Sequence, residues 1–379
     1  MEKVLFFYSN HREDDWSIGI TKKVHSQIKE FEKKGYTVVY SAYYNNGIGI
    51  FEKGKLLDYK KTAFFNSTIG HWLRRRDNLN LSRRFIEKNR IDAAYLRFHF
   101  WDYYSLKILM SLKKRNVYTI VEAHSYPYKD KITITLAPTF FLDDIYSTRV
   151  SKYIDVVAAI TDVDDDVWNC NTIKIENGVD TDAMHVRRVV TCSNECVNLL
   201  CVANEQVTHG LSRLICGMSE YYHNEHDREI VLWLVGEYLD STKQLVNNYE
   251  LEKYVKFVGK KSGEDLYHYY NLADLGVGPL ATYLINYHKG ECLKTKEYYA
   301  VGLPYLTSAD ENAEINQLEG VLVVEENDNA IDIKRVINFV KSIDNPQELA
   351  DRLHTYACEN YGWDKQMDKI ISNMENNQT

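Results

Sequence analysis

Strand and helix patterns alternate along the whole chain, in two series. In the first series, apolar strands are predicted at Val4–Tyr8, Tyr36–Tyr40, Ala93–Phe98, Tyr118–Ala123 and Val156–Thr161. Apolar residues at helical spacing lie between them, most clearly after the first strand and before the fourth. Short buried strands that alternate with helices are typical of α/β proteins, and we therefore predict a doubly wound parallel sheet.

The second series follows a polar segment near Asp182–Asn194. Its strands are predicted at Asn198–Ala203, Val231–Val235, Val255–Val258, Leu275–Gly278, Val301–Thr307 and Val321–Val324. A terminal helix is predicted at Pro346–Asn376. Because 379 residues exceed the usual size of one hydrophobic core, the two series predict two Rossmann-like domains, residues 1–187 and residues 188–379.

The composition is that of an ordinary globular protein, with 45% apolar and 26% charged residues. The net charge of −8 argues against nucleic acid as a partner, since nucleic-acid-binding proteins carry a basic excess. The 7 cysteines are scattered without CxxC pairs, which indicates free thiols in a reducing compartment. No apolar run has the length of a membrane span, and the first one is too short for a signal peptide. These features predict a cytoplasmic protein.

The segment Leu293–Pro304 contains the strongest functional signal. It places Lys294 and Glu297 at the start of a predicted helix, which Gly302 ends before a buried strand. A carboxylate there can accept hydrogen bonds from neighbouring hydroxyls, and the free N–H groups of the turn can hold an anion. Hydroxyls beside a phosphate describe a nucleotide sugar. The alternative is that Glu297 only favours the helix dipole.

This segment resembles the donor-binding segment of family-4 retaining glycosyltransferases, which follows the pattern K-x-x-E-Y-x-A-x-G-x-P. Other motifs of that family match in the same order over nearly the whole chain, at Ile175–Asp180, Leu234–Glu237, Val255–Lys260 and Asn271–Pro279. The resemblance implies the GT-B fold, an α/β fold in which two Rossmann-like domains face each other. The first domain would bind the acceptor and the second the nucleotide sugar, and the last helix can cross back to the first domain.

The same resemblance implies most of the donor contacts. Glu297 would hold the donor ribose, and the base would lie against Gly259 and Lys260. Gly19 opens the first helix, where backbone N–H groups can approach a diphosphate or a sugar, although a plain turn glycine is the alternative. The donor-binding residues implied without departure from the family are Gly19, Gly236, Gly259, Lys260, Lys294 and Glu297.

The loop before the helix that begins near residue 211 departs from the family. Asn204 and His209 stand where family members carry Arg and Lys that neutralise the donor diphosphate. Asn204 can donate hydrogen bonds without charge, and a bound phosphate can raise the pKa of His209. Arg213 lies one helical turn further and could lend charge, although a surface ion pair is the alternative.

A second departure is Lys289, which replaces a glutamate that contacts the sugar in many family members. An ammonium at this position could meet a phosphate or a sugar carboxylate. The backbone at Gly290 and Cys292 could still hold phosphate. These residues are therefore predicted as donor-binding as well.

The acceptor side is predicted from the strand end Glu122–Tyr128, which resembles the E-x-x-T-Y-P-Y stretch of exopolysaccharide and capsule glycosyltransferases. In many family members a histidine ends this strand and contacts the transferred sugar. The resemblance therefore implies that His124 acts with Glu297 as a catalytic residue, with a purely structural histidine as the alternative. The predicted acceptor-binding residues are Arg97, His99, Glu122 and Tyr126.

Two charged segments complete the pattern. Asp162–Asp166 has the D-x-D spacing of metal-dependent sugar transferases, but it follows a strand and is predicted to start a helix. No metal and no cofactor are expected, because GT-B enzymes generally use helix termini and cationic groups. Phe64–Arg90 combines aromatic and basic residues, which suits an anionic membrane surface, chiefly from Arg74 to Arg90.

Together these residues predict transfer of a hexosyl residue from a UDP- or GDP-linked donor to a saccharide acceptor, and the family resemblance implies a retaining hexosyltransferase. The acceptor is predicted to be lipid-linked, as in surface polysaccharide synthesis, at the inner face of a membrane. One alternative is a catalytically silent GT-B partner that binds saccharide. The departures from the family pattern at Asn204 and Lys289 suggest this alternative. Another is a nucleotide-sugar epimerase, which shares the fold and the ligand but needs no acceptor.

Overall fold

The structure is a computed structural model that describes residues 3–15, 19–98, 100–126, 137–161, 166–190, 196–224, 226–285, 287–288 and 292–378. The chain forms two compact units, one of residues 1–178 with 363–379 and the other of residues 179–362. The first boundary between the units therefore lies at residues 178 and 179, whereas the sequence predicted a domain boundary at residues 187 and 188.

The first unit contains eight strands and five α-helices in its described residues. Its elements are β1 Lys3–Arg12, α1 Gly19–Lys33, β2 Tyr36–Tyr44, β3 Gly47–Glu52, β4 Lys55–Lys61, α2 Thr68–Lys88, β5 Ala93–Phe98, α3 Tyr103–Lys114, β6 Tyr118–Tyr126, α4 Ala137–Ser147, β7 Val156–Thr161, β8 Thr172–Lys174 and the last helix of the chain, α11 Trp363–Gln378. The strands form one sheet in the order β4-β3-β2-β1-β5-β6-β7-β8.

The five predicted strands of the first sheet pair in parallel, as predicted, but two further strands that the sequence analysis did not predict lie at one edge. Strand β3 pairs antiparallel with both β2 and β4. Two tight turns cause this reversal, since Asn45 and Asn46 have φ of 44° and 58°, and Lys53 and Gly54 have φ of 48° and 74°. Positive φ at both central residues is the geometry of the two-residue hairpin turn. The remaining pairs of this sheet are parallel.

Alternate residues of the central strands supply the two hydrophobic cores of the first unit. Phe6 and Tyr8 of β1 belong to one core, and Leu5 and Phe7 belong to the other, as the period of two in a strand requires. The second of these cores also contains apolar residues of α1 and of α11. The last helix of the chain is thus part of the first unit.

The second unit, residues 179–362, contains six strands among its described residues. Its elements are β9 Cys196–Val202, α5 Leu211–His223, β10 Glu229–Val235, α6 Asp240–Asn248, β11 Val255–Phe257, α7 Glu264–Leu272, β12 Leu275–Val277, α8 Leu293–Val301, β13 Tyr305–Ser308, β14 Val321–Val324, α9 Ile333–Lys341 and α10 Pro346–Asn360. The sheet has the order β11-β10-β9-β12-β13-β14, and all of its pairs are parallel. The predicted parallel sheet is confirmed here, although β13 begins at Tyr305 and not at Val301.

The predicted terminal helix is two helices, and the prediction of one helix is wrong. Helix α10 ends at Asn360 and α11 begins at Trp363. The side chain of Tyr361 packs in the core of the second unit, whereas that of Trp363 packs in the core of the first. The two helices pack against the cores of different units, so the chain does not continue as one helix between them.

Candidate active site

The second sheet has a topological switch point at β9. Strands β10 and β11 lie on one side of β9, and β12, β13 and β14 lie on the other. Ligands of open α/β sheets bind outside the carboxyl ends of the strands at such a point. The loops that leave β9 and β12 meet there, since the N–H groups of Leu280 and Ala281 donate to the carbonyl oxygens of His209 and Thr208 at 3.2 and 3.0 Å.

Helix α8 presents the predicted donor pair, Lys294 and Glu297. The Lys294 Nζ lies 3.2 Å from the Glu297 Oε2, and the two side chains are 25% and 31% exposed. Burial alone would lower the pKa of Lys294, but the Glu297 carboxylate holds this pKa above its ordinary value. The pair is therefore an ammonium and a carboxylate that solvent, and hence a ligand, can reach.

Tyr298 fixes α8 against the strands of the switch point. Its buried hydroxyl accepts from the Val202 N–H at 3.1 Å and lies 3.2 Å from the carbonyl oxygens of Leu200 and Val277. These three residues belong to β9 and β12, next to their carboxyl ends. Sequence analysis did not single out Tyr298, although its position directly after Glu297 was visible in the motif.

The start of α8 is closed by a capping box. The Cys292 N–H donates to the Thr295 Oγ1 at 2.9 Å, and the Thr295 hydroxyl reaches the Cys292 carbonyl at 2.9 Å. Cys292 is thus the residue that caps the helix, and its N–H group is already bound to Thr295. Its predicted backbone contact with phosphate stays a prediction. Lys289 and Gly290, which were predicted to bind phosphate, lie outside the described residues.

The loop after β9 holds the two residues that depart from the family pattern. The Oδ1 of Asn204, which is exposed, accepts from the Glu237 N–H at 3.2 Å. The Nδ1 of His209 accepts from the Gln206 N–H at 2.8 Å. Burial, with Lys294 as a second cause, lowers the pKa of His209 below its ordinary value. The imidazole is therefore neutral at neutral pH when no ligand is bound, and its charging by phosphate stays a prediction.

Glycine is required at two positions of this region. Gly210 has φ of +57°, and a Cβ added there would lie 2.9 Å from the Ala281 Cβ. Gly236, predicted as a donor-binding residue, has φ of +137°, and a Cβ there would lie 1.9 Å from the Ala203 carbonyl oxygen. Backbone segments can pack this closely only without side chains. The fold alone thus explains Gly236, and a contact with the donor stays a prediction.

Arg213 has a different environment from the predicted one. It is buried, and its guanidinium donates to the carbonyl oxygens of Asn329 at 2.9 Å and Glu325 at 3.0 Å, and also to that of Leu280. These bonds tie α5 to two loops of the second unit. The structure therefore favours a structural role over the predicted contact with diphosphate, and it excludes the surface ion pair.

The predicted base-binding turn follows β11. Gly259 has φ of +77° and no atoms within 4 Å of an added Cβ, so the turn faces open space. The Lys260 Nζ lies 2.9 Å from the Glu237 Oε1, and both side chains are exposed. The Gly236 N–H donates to the Gly259 carbonyl at 3.0 Å, which holds the turn beside the end of β10.

Sequence analysis missed Glu205, which organises the same edge of the sheet. Its carboxylate accepts from the Leu239 N–H at 2.8 Å and from the Thr242 hydroxyl at 2.6 Å. The carboxylate thereby orders the first turn of α6 beside the loop after β9. An acidic residue two positions after a predicted strand was the available signal.

In the first unit, the predicted acceptor residues Glu122 and Arg97 form a closed network. Glu122 is fully buried, and its carboxylate lies 3.0 Å from the Lys23 Nζ and 3.2 Å from the Arg97 Nε. It also accepts from the Gln27 amide at 2.9 Å and from the Tyr95 hydroxyl at 2.8 Å. Burial would raise the pKa of Glu122, but Arg97 and Lys23 hold it well below the ordinary value. The structure favours a structural role for this pair.

The other first-unit predictions are placed as follows. Gly19 is exposed at the first residue of α1, where an added Cβ would meet no atom within 4 Å. His124 and Tyr126 lie in β6, both half-buried, and the Tyr126 ring lies 6.2 Å from that of Trp168. His99 and residues 162–165 of the D-x-D segment lie outside the described residues. The structure thus leaves the catalytic role of His124 a prediction.

Residues 198–360 match the family model of group 1 glycosyl transferases. No curated protein sequence matches the chain. Among solved structures, the chain is similar to sucrose-phosphate synthase (tll1590) of Thermosynechococcus elongatus, with a TM-score of 0.63 at 15% identity, over 98% of this chain and 99% of that one. It is also similar to Anabaena Alr3699/HepE in complex with UDP, with a TM-score of 0.62 at 12% identity, over 99% and 100% of the two chains.

A further similar structure is WaaG, a glycosyltransferase involved in lipopolysaccharide biosynthesis, with a TM-score of 0.65 at 12% identity over 97% of this chain and 99% of that one. At these identities the likeness shows the fold, and the chain has the GT-B fold over its whole length. The match of the second unit to group 1 glycosyl transferases supports a GT-B glycosyltransferase. Among the described residues, no helix is both long and apolar enough to span a membrane.

Proposed function

We propose that the protein is a glycosyltransferase that uses a nucleotide sugar as donor. The observation that carries the proposal is the Glu297 carboxylate, which α8 holds half-exposed at the switch point of the second sheet. Within the described part of the chain, Lys294 is its one polar partner and contacts Oε2 only. The other oxygen can therefore accept hydrogen bonds from ribose hydroxyls.

The surrounding groups can hold the rest of the donor. The diphosphate would lie near Lys294 and the loop of Asn204 and His209, and the base near the open turn at Gly259. An ammonium and neutral hydrogen-bond donors aimed at the leaving diphosphate stabilise the charge that develops there. The resemblance to family-4 enzymes extends the proposal to a retaining, metal-independent transfer in which His124 orients the sugar.

Titration calorimetry with UDP and GDP tests the donor site. We expect one of them to bind to the wild type, and Glu297→Gln to weaken that binding about 10- to 100-fold, since a hydrogen bond to a charged group contributes about 1.5–3 kcal/mol. Glu229→Gln is the matched control, because Glu229 also pairs with a lysine but lies at the first residue of β10, away from the carboxyl ends.

Two alternatives are outcomes of the same experiments. Binding of neither UDP nor GDP would favour the silent GT-B partner, the alternative that the uncharged Asn204 suggests. If a nucleotide sugar is converted to its epimer, still linked to the nucleotide, without any saccharide acceptor, the protein is an epimerase. Slow hydrolysis of one nucleotide sugar in a screen would identify the donor and support the transferase.

The acceptor is proposed to be a saccharide linked to a lipid in surface polysaccharide synthesis. Helix α2 and the turn before it expose Phe64, Ile69 and Trp72, at 74%, 71% and 46% of their surfaces. Only part of the basic segment is free to face a membrane, because Arg75 is buried and pairs with Asp102.

Co-sedimentation with vesicles tests this part of the proposal. We expect binding to vesicles that contain phosphatidylglycerol, and reduced binding for Trp72→Ala; equal binding to neutral vesicles would contradict an anionic surface.

A further inference from the structure

Three side chains of metal-ligating type meet at the carboxyl end of β1. His11 lies in the strand, Glu13 follows it, and His25 lies on α1. The Glu13 Oε2 is 3.1 Å from the His11 Nε2 and 3.0 Å from the His25 Nε2. One ligand atom from each residue lies within 4.8 Å of the other two.

The spacing of these atoms is close to what a zinc ion requires. Zn²⁺ binds imidazole nitrogen at about 2.0–2.1 Å and carboxylate oxygen at about 2.0–2.2 Å, so tetrahedral ligand atoms lie about 3.3–3.5 Å apart. The observed separations from Glu13 need to open only slightly. Two histidines and one glutamate form one of the ligand sets of zinc sites that keep a fourth position open.

The surroundings orient the three groups. The Tyr40 hydroxyl donates to the Glu13 Oε1 at 3.0 Å, which turns the second oxygen, Oε2, towards both imidazoles. Such partners of a ligand commonly fix its orientation in metal sites. The His11 side chain is fully buried, and its Nδ1 has no hydrogen-bond partner among the described residues. The ring nitrogen that would bind the ion is the His11 Nε2, which lies 3.1 Å from the Glu13 Oε2.

The position in the fold is also that of a ligand site. In the first sheet β1 lies between β2 and β5, so the chain order reverses at β1 as it does at β9 in the second sheet. The side chains of Glu13 and His25 are 12% and 19% exposed, which gives an ion a route from solvent. The same exposure leaves room for water or a ligand oxygen at a fourth position.

We propose that His11, Glu13 and His25 bind one Zn²⁺ ion in the first unit, with a fourth coordination position open to water or to a ligand oxygen. The sequence analysis expected no metal, because GT-B enzymes generally use helix termini and cationic groups, and it did not single out these three residues. The site is independent of the donor site in the second unit. It can therefore be correct or wrong whatever nucleotide the protein binds.

The test is a zinc titration of the full-length chain, purified without a histidine tag and stripped with a chelator. Competition against a chromophoric chelator measures the affinity, and we expect one Zn²⁺ per wild-type chain. His25→Ala and Glu13→Gln are expected to weaken binding by at least about 100-fold, and Tyr40→Phe by about 10-fold, as for loss of an orienting partner. His268→Ala, which removes an exposed histidine of the second unit, is the control and should bind as the wild type does.

Cobalt provides a second measurement that does not depend on the stability of the variants. We expect Co²⁺ to give the visible absorption of a four-coordinate site in the wild type, and Zn²⁺ to displace it. Failure of the wild type to bind zinc would overturn the proposal and leave Glu13 as a hydrogen-bond partner of two histidines. Equal affinity in the wild type, His25→Ala and Glu13→Gln would also overturn it, because the metal would then lie elsewhere.

Discussion

The carboxylates of Glu122 and Glu297 are both paired with lysine near the carboxyl ends of central strands, yet one is closed and the other is open. Glu122 is fully buried among Lys23, Arg97, Gln27 and Tyr95. Glu297 has a half-exposed side chain and one described partner. A closed network stabilises a fold, whereas a carboxylate with a free oxygen can bind a ligand. The difference separates a structural acid from a candidate functional acid.

The largest expected effect is on the closed network. Glu122→Ala leaves the buried Lys23 and Arg97 without their counter-charge, and breaking a buried ion pair in this way costs about 3–5 kcal/mol. Urea unfolding should show this loss in the free energy of unfolding. A loss below about 1 kcal/mol, the range of exposed ion pairs, would mean that solvent reaches Glu122 and that the comparison fails.

The pH dependence of stability examines the same residue. The pKa of Glu122 is held well below its ordinary value of 4.5, so its contribution is present above about pH 4.5 and is lost as the pH falls below it. The wild type should therefore lose stability more steeply than Glu122→Gln on acidification from pH 5 to lower values. Parallel curves for the two proteins would show that this carboxylate is not selectively stabilised in its ionised form.

Glu297→Gln should give the opposite result. We expect turnover with the donor to fall about 10- to 100-fold. The free energy of unfolding should change by less than about 0.5 kcal/mol, because a partly exposed pair three residues apart on a helix contributes little. Steady-state kinetics and urea unfolding of one preparation measure both quantities. A variant that is as active as the wild type would remove the main support for the proposed donor site.

Tyr298→Phe tests whether the open carboxylate depends on its support. The change removes the hydroxyl that accepts from the Val202 N–H, and an unpaired buried group costs about 1–3 kcal/mol. We also expect weaker donor binding, since α8 loses its hydrogen bonds to β9 and β12. Lower stability with unchanged binding would show that Glu297 is positioned by other contacts.

The sequence predicted the architecture well wherever a structure follows from local periodicity. The parallel order of the second sheet and the end of α8 at Gly302 are examples, since strand period and a left-handed cap are local signals. The β3 hairpins were missed because their turns, at Asn45–Asn46 and Lys53–Gly54, were not recognised as tight turns. The break between α10 and α11 was missed because it depends on which unit each helix packs against.

The candidate sites also differ in how far the sequence could predict them. Lys294 and Glu297 lie within one helix, so their pairing could be predicted from spacing alone. Glu122, Lys23 and Arg97 come from three separate elements, and only the fold brings them together. His11, Glu13 and His25 are close along the chain, but their contact depends on where α1 packs against the end of β1. Sequence spacing therefore identifies sites built on one element better than sites built from several.

The smallest expected effect on stability is at Lys260. This residue forms an exposed ion pair at the candidate donor site, and its replacement tests whether the pair contributes to nucleotide binding. Its partner is Glu237, and the two side chains are 52% and 71% exposed. Lys260→Ala should change the free energy of unfolding by less than about 0.5 kcal/mol, because solvent screens such pairs. If the nucleotide base lies against this turn, the same variant should still weaken binding of UDP or GDP in calorimetry. Unchanged nucleotide affinity would move the base away from Gly259 and Lys260 while leaving the role of Glu297 intact, since the ribose contact lies on a different element.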